Sequence, residues 1–464
     1  MQGAGEIALL TDLYELTMAQ GYFQSEKIEP ATFSLFIRSY PPNRGYFVSA
    51  GLEDVLRFLS SFAFNQEAID YLYSTRIFKD DFLDFLKDLR FTGEVWAIPE
   101  GRLFFKDEPV IEITAPVIEG QIVETFIINQ INLQTLIATK AARCVYAAGG
   151  RGVVDFSLRR TQGIDAGMKA ARSSYLAGFA GTSNVLAGKR YGIPIVGTMA
   201  HSFISSFEYE IDAFRNFTTS FPENSILLVD TYDTLAGAAK AVKVAQEMAG
   251  RGYHLRGVRI DSGDLIVQAR EVRQMLDQAG LPDVKIIGSG GLDEYDLTAL
   301  SEANAPYDSF GVGTKMGVSG DAPWYDNAYK LVEYNGRPTL KLSTGKISWP
   351  GRKQAFRYVD RRGQLQKDIL ALRDENTQRG EPLLKKVMER GKPISPYPLL
   401  QEIRERFLDE INRLDKRTKA VRNPLPYPVK PSPRLRKLRR EIKEQISETE
   451  LASATVSQHG LGES

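Results

Sequence analysis

Two glycine clusters are the plainest chemical signal in the chain. Ile287-Gly288-Ser289-Gly290-Gly291 and Gly311-Val312-Gly313-Thr314 each close a β-rich run. Glycine lets backbone N–H groups approach an anion closely, so such loops either cradle a phosphate or are plain tight turns. Arg259-Ile260-Asp261-Ser262-Gly263-Asp264 gathers an arginine and three oxygen-bearing side chains at another strand end. On a strand Arg259 and Asp261 face the same way and could share one site. Asp261 or Asp264 could meet a ribose hydroxyl or a magnesium shell; a helix cap explains Asp264 equally simply. Asp230-Thr231-Tyr232-Asp233 is a similar acidic strand end, with the same capping alternative. In Phe156-Ser157-Leu158-Arg159-Arg160, paired guanidiniums suit a carboxylate or phosphate, or else a surface ion pair. His201 follows Thr198-Met199-Ala200 and could serve as acid, base or nucleophile, or as a structural histidine. The segment Thr11 to Thr17 offers Asp12 as a helix cap and Tyr14 as a packing residue, and its chemistry alone says nothing more.

These residues need a scaffold that brings strand ends together. The runs 153–160, 193–202, 225–233, 256–264, 284–291 and 307–314 are β-rich and end in polar residues or glycine. Most are separated by stretches of helical character, such as Leu235 to Ala249 and Leu265 to Ala279, and their spacing falls from about 40 to about 23 residues, as expected of parallel βαβ units. A doubly wound sheet would place chemistry at one switch point. Capable residues at nearly every strand end favour a (β/α) barrel, whose mouth collects them all. Before this region, Thr32 to Arg38, Glu94 to Ile98 and Val110 to Thr114 read as strands, the last closed by Ala115-Pro116. Asp81 to Leu89 and Ile122 to Tyr146 read as helices. After it, Tyr329 to Tyr334 and Pro338 to Leu342 flank Asn335-Gly336 as a hairpin, and Leu399 to Leu414 has helical spacing. Five prolines from Pro424 to Pro433 should break regular structure. Leu435 to Ile446 could form a short basic helix ahead of a disordered end.

The composition excludes several classes. With 464 residues, 43% of them hydrophobic, the chain can bury a large core without cross-links. Its single cysteine and three histidines rule out a disulfide framework and make a Cys/His zinc centre a poor fit. The N-terminal residues do not have the form of a secretory signal, and no apolar run approaches membrane-spanning length, which points to a cytoplasmic protein. The net charge of +1 speaks against nucleic acid as the partner of the barrel, but it is a sum of unlike parts. Residues 416–443 hold eleven Lys/Arg and one Glu, leaving the rest with 48 basic and 57 acidic side chains. An RNA-associated role for that basic segment is a separate possibility from a solvated extension.

Taken together, the residues describe a barrel enzyme handling a phosphorylated, anionic substrate. Nine segments then carry a resemblance: TDLYELTMAQGY (11–22), DFSLRRTQG (155–163), AGTSNVLAG (180–188), GTMAHSF (197–203), VDTYDT (229–234), VRIDSGDL (258–265), FGVGTKM (310–316), YKLVE (329–333) and PGRKQAFR (350–357). In order and in content the chain resembles the nicotinate phosphoribosyltransferases.

The resemblance implies ATP-coupled transfer of phosphoribose from phosphoribosyl pyrophosphate to nicotinate, giving nicotinate mononucleotide and pyrophosphate in NAD biosynthesis. It implies an α/β fold: an irregular (β/α) barrel plus an α/β sandwich domain formed by the N- and C-terminal parts. The expected divisions are 1–135, the barrel with the site at 136–320, a returning part at 321–423, and a Pro/basic segment and tail at 424–464 that matches nothing in the family pattern. It implies Mg²⁺, ATP as co-substrate, and a homodimer with active sites near the subunit interface. By resemblance His201 is the phosphorylated histidine. Tyr14, from a neighbouring subunit, and Phe156 stack on the pyridine ring. Arg159, Thr198 and Arg259 meet nicotinate, and Arg259 also serves the phosphoribosyl side. Asp230 and Asp261 lie on the ribose and magnesium side, and Ser289, Gly290, Gly291, Gly313 and Thr314 hold phosphate. Nicotinamide phosphoribosyltransferase carries an aspartate where this chain has Ser183, so Ser183 favours the acid substrate. A ligand sensor that keeps the site without turnover is the competing class, disfavoured by the intact set of His201, Arg259, Asp261 and Thr314.

Overall fold

The structure is a computed structural model that describes residues 6–342, 348–377 and 379–451. Of the end expected to be disordered, Ser447–Leu451 is instead a helical turn, and the remainder, His459 included, lies outside the described residues. The chain divides into two compact units, one gathering the chain up to Thr135, Trp324–Leu399 and the chain from Asp409, the other Leu136–Pro323 and Leu400–Leu408. Both mix helices with strands, so the fold is α/β. Among the described residues no helix is long and apolar enough to cross a membrane.

The second unit is built on a parallel sheet. Its spatial order is Gly181–Thr182, Gly152–Asp155, Ser309–Val312, Lys285–Gly288, Gly257–Ile260 and Ile226–Leu228. A parallel bridge between Thr182 and Ile195 extends one edge. The first long strand therefore pairs with the last, as in a closing ring. No ladder among the described residues joins Ile195 to Ile226, so hydrogen bonding leaves the ring open there. The strands are short and apolar because the sheet is deeply buried; Val258, Ile260, Ile286 and Phe310 are fully enclosed. Helices Thr234–Ala249, Leu265–Gln278 and Glu294–Glu302 begin directly after strand-end loops. Each is started by an aspartate, Asp233, Asp264 or Asp293, whose side chain accepts from first-turn N–H groups. Asp264 is thus a cap.

The run 193–202 departs from expectation. It forms only the bridge at Ile195, and the two-residue strand Gly181–Thr182 takes its place beside Gly152–Asp155. Pro194 has no N–H to give a ladder, and Ile195 is 60% exposed, so the apolar content of this run is not buried as a strand.

The first unit interleaves early and late chain. Its seven-stranded sheet runs Arg337–Pro338, Asn327–Tyr334, Pro30–Ile37, Pro109–Pro116, Glu94–Ala97, Lys385–Glu389 and Lys392–Pro393, with every neighbour antiparallel. Asn335 and Gly336, at φ 47° and 71°, make the hairpin turn read from sequence. Strand Pro109–Pro116 does not stop at Thr114, because Ala115 and Pro116 still oppose Ala31 and Pro30. Asp12 precedes helix Leu13–Gln24 but does not cap it with its side chain; its carboxylate accepts from Thr125 Oγ1 at 2.8 Å instead. The proline stretch is also more ordered than expected. Val429–Pro431 adds a parallel strand to Leu365–Leu372, and Pro433 opens helix Pro433–Ile446 behind the Ser432 cap, where a missing N–H is harmless. Arg357 of the PGRKQAFR segment is fully buried and pairs with Asp368 and Glu410, each at 2.6 Å, which makes it a core residue.

Candidate active site

The strand ends of the second unit enclose a cavity of about 710 Å³. Phe156, Arg159, Ser183, Thr198, His201, Arg259, Asp261, Ser289, Gly290, Gly291, Gly313 and Thr314 all line it, so sequence reading placed twelve of its residues. Arg160 and Gly311, from the same motifs, line it as well. Asp230 and Tyr14 do not. Asp230 is buried behind the wall, and Tyr14 lies on helix Leu13–Gln24 of the other unit, 48% exposed.

Hydrogen bonds between loops fix the wall. The buried carboxylate of Asp155, at the first strand end, accepts from Ser157 N at 2.8 Å and Thr182 Oγ1 at 2.7 Å, while Ser183 N donates to the Asp155 carbonyl at 2.8 Å. Phe156 and Ser183 are thereby held side by side. Burial pushes Asp155 above the usual carboxylate range, against those hydrogen bonds. Asp230 Oδ2 accepts from Asp261 N at 2.9 Å and from Ser262 Oγ at 2.6 Å. Asp261 in turn accepts from Ser289 Oγ. Arg259 Nη1 donates to Thr198 Oγ1. His201 opens the short helix His201–Ser205, and its Nδ1 lies 3.1 Å from Thr231 Oγ1.

Charge is concentrated at Arg259. Burial lowers its guanidinium from the ordinary value, Asp261 and Asp230 pull it back up, and nearby Arg159 lowers it further. It stays charged, as arginine does in proteins. Arg259 Nε and Asp230 Oδ1 are buried with no hydrogen-bond partner among the described residues. Unsatisfied groups of this kind point to a missing ligand or water. Arg159 and Arg160 are exposed at the rim. Together the three guanidiniums suit an anion that is partly enclosed and partly open to solvent.

The glycines are there for space. A Cβ on Gly290, at φ +100°, would sit 1.7 Å from the Asp261 carbonyl oxygen, and one on Gly313 would sit 2.7 Å from that of Phe156. Behind the first loop, Asp293 both caps helix Glu294–Glu302 and pairs with the buried Lys140 at 3.4 Å. Lys140 also meets Glu294 at 2.5 Å and Asp321 at 2.8 Å; burial works against its charge, and these acids more than offset it. Lys315, next to Thr314, reaches Asp296 at 2.9 Å, so both glycine loops are tied to one helix start. Sequence reading missed Lys140 and Asp155. The signals were a lysine and an arginine in the apolar second half of helix Glu124–Ala147, and an acid ending an apolar strand.

Comparison with known proteins bears on what such a cavity does. The model of the nicotinate phosphoribosyltransferase N-terminal domain matches residues 9–132, that of the family itself residues 152–343, and that of its C-terminal domain residues 376–439. The chain belongs to the nicotinate phosphoribosyltransferase family. A nicotinate phosphoribosyltransferase of Mycobacterium tuberculosis is 47% identical over 430 residues, covering 92% of each chain. The Bacillus subtilis one is 35% identical over 454 residues, covering 91% of this chain and 92% of its own. The crystal structure of human nicotinic acid phosphoribosyltransferase superposes with a TM-score of 0.84 at 30% identity, covering 93% of this chain and 99% of the human one. The family match to residue 439 corrects one expectation, because the proline-rich segment and the first half of the basic helix fall within the family pattern.

Proposed function

We propose that this member of the nicotinate phosphoribosyltransferase family transfers phosphoribose from phosphoribosyl pyrophosphate to nicotinate, coupled to ATP hydrolysis, yielding nicotinate mononucleotide and pyrophosphate for NAD biosynthesis. The observation that carries the reading is the cavity. It unites three arginines, two glycine loops, a serine at the position that the resemblance ties to acid against amide, and one histidine, all within the residues that the family model matches.

Arg259, fixed by Thr198, and the rim arginines bind the nicotinate carboxylate and the phosphoribosyl phosphates. Phe156 offers a ring face to the pyridine, and Tyr14 offers another from a neighbouring subunit of a homodimer. Ser183 neither repels the acid nor rewards an amide. Ser289, Gly290, Gly291, Gly313 and Thr314 receive the phosphate through N–H and hydroxyl donors. The pyridine nitrogen then attacks ribose C1 as pyrophosphate departs through an oxocarbenium-like transition state; no base is needed because that nitrogen carries no proton. The guanidiniums stabilise the charge that develops on the leaving group.

His201 takes the γ-phosphoryl of ATP. Mg²⁺ is bound in such reactions by one or two carboxylates together with substrate phosphates. Asp261, at the cavity wall, and Asp230, whose buried Oδ1 has no partner among the described residues, fit that donor set. When bound, the ion neutralises pyrophosphate charge. These reactants are soluble, and we place the enzyme in the cytoplasm. The test is an assay of the purified protein with nicotinate or nicotinamide, each with and without ATP. Nicotinate turnover stimulated by ATP is expected; preference for nicotinamide would overturn the assignment.

A further inference from the structure

The loop after strand Ile226–Leu228 is rigid at both ends. Asp230 is pinned to the 261–262 turn through two hydrogen bonds. Three residues on, Asp233 Oδ1 accepts from Ala236 N at 2.8 Å and starts helix Thr234–Ala249. That helix lies so close to the strand end that a Cβ on Gly237 would come within 2.0 Å of the Val229 carbonyl oxygen. Between these anchors stands Thr231. Its Oγ1 is 3.1 Å from His201 Nδ1, and Nε2 of the same ring has no hydrogen bond among the described residues.

An imidazole donates from one nitrogen and accepts at the other, and the partner of one nitrogen sets the state of the other. We propose that Thr231 is the positioning residue of the phosphoryl acceptor: its Oγ accepts from Nδ1–H, holds the Nδ1–H tautomer and leaves the Nε2 lone pair free to attack. The proposal rests on the reading of His201 as the phosphorylated residue. In the step, the Nε2 lone pair forms a bond to the γ-phosphorus of ATP. The bond from that phosphorus to the β,γ-bridging oxygen breaks, and its electron pair leaves with ADP. The ring gains positive character, so the Nδ1–H bond to Thr231 strengthens as the phosphoryl group arrives. Water later attacks the phosphoryl group, releases inorganic phosphate and restores the imidazole.

The experiment follows phosphohistidine formation from γ-labelled ATP in the full-length protein, comparing parent, Thr231→Val, Thr231→Ser and His201→Ala. Valine keeps the shape of threonine and removes the acceptor. The labelling rate should fall roughly 10–100-fold in Thr231→Val, the usual effect of removing a group that orients a functional imidazole. Thr231→Ser should restore it to within about threefold of the parent. A purely structural threonine would not be rescued selectively by the hydroxyl. Labelling of Thr231→Val at the parent rate, or equal loss in the valine and serine variants, would overturn the role of Thr231 while leaving His201 intact. Persistent label in His201→Ala would instead overturn the phosphohistidine reading, and the proposal with it.

Discussion

Gly290→Ala isolates the coupling between the phosphate loop and Asp261. Gly290 has φ +100°, and the added Cβ would overlap the Asp261 carbonyl oxygen at 1.7 Å and its carbon at 2.7 Å. Non-bonded carbon and oxygen atoms do not approach so closely, so the loop or the Asp261 backbone must move by more than about 1 Å. That backbone carries the carboxylate held by Ser289 and the N–H held by Asp230. A displacement of about 1 Å in such a site costs roughly 100-fold in rate, or about 2.7 kcal/mol. Gly291→Ala is the matched control. Gly291 is also left-handed, at φ +71°, but a Cβ there meets nothing within 4 Å among the described residues, so only backbone strain of about 1–2 kcal/mol applies. Both variants should lose stability, but only Gly290→Ala should lose about 100-fold or more in kcat/KM for phosphoribosyl pyrophosphate. Steady-state kinetics at saturating nicotinate, with urea unfolding alongside, separates the two effects. If kcat/KM in Gly290→Ala fell within about threefold of Gly291→Ala, the idea that this loop and Asp261 form one unit would be wrong.

Two further outcomes follow from named groups. Ser183→Asp places a carboxylate on the cavity wall beside the expected nicotinate carboxylate; kcat/KM for nicotinate should drop by about 10²-fold and the ratio of nicotinamide to nicotinate turnover should rise, while an unchanged ratio would remove Ser183 from the specificity argument. In the first unit, burial and the neighbouring Glu15 charge push Glu124 up to about 7, and Gln121 Nε2 bridges the two carboxyls at 2.5 and 3.0 Å. A carboxyl raised on folding holds its proton more tightly in the folded state, so its contribution is full below the unfolded value of 4.5 and is lost as pH rises through 7. Between about pH 5 and 8 the parent should therefore lose about 1–3 kcal/mol more than Glu124→Gln in urea unfolding; parallel pH profiles for the two would show that Glu124 is not raised on folding.

What was legible in the sequence was local. Strand ends announce themselves because an apolar run stops abruptly at glycine, aspartate or arginine, and nine cavity residues sit at such stops or in the loops just after them, whereas Ser183 is reached only through the family resemblance and Thr198 and His201 lie in a run that forms a single bridge. The hairpin at Asn335-Gly336 was legible for the same reason, since only a few residues tolerate positive φ. What was hidden depended on distant partners. Asp155 looks like any strand-end acid until Thr182, far along the chain, is seen to donate to it. Lys140 reads as an interruption in a helix until Glu294 and Asp321 surround it. The run 193–202 is β-rich in content, yet Pro194 keeps it out of the ladder. The prolines from Pro424 to Pro433 misled in the opposite sense. A single edge position and a helix start are the two places where proline costs nothing, and this chain uses both.

The same contrast between local and global governs the electrostatics. Outside residues 416–443 the chain carries more acids than bases, 57 against 48, yet its cavity is shaped for anions. The net count has little weight there, because exposed charges beyond about 10 Å are largely screened at ordinary ionic strength. What counts is dielectric and distance. Arg259 is held inside the wall, where an interaction with a bound anion is far stronger than at the surface, and Asp230 and Asp261 keep its charge affordable before substrate arrives. Those acids are in turn occupied by the Asp261 N–H, Ser262 and Ser289. Of these donors Ser289 belongs to a phosphate loop, and the other two belong to the turn after Arg259. An arriving anion therefore meets a cation whose acidic neighbours are partly engaged elsewhere, and the site can bind it without the basic surface that net charge would demand.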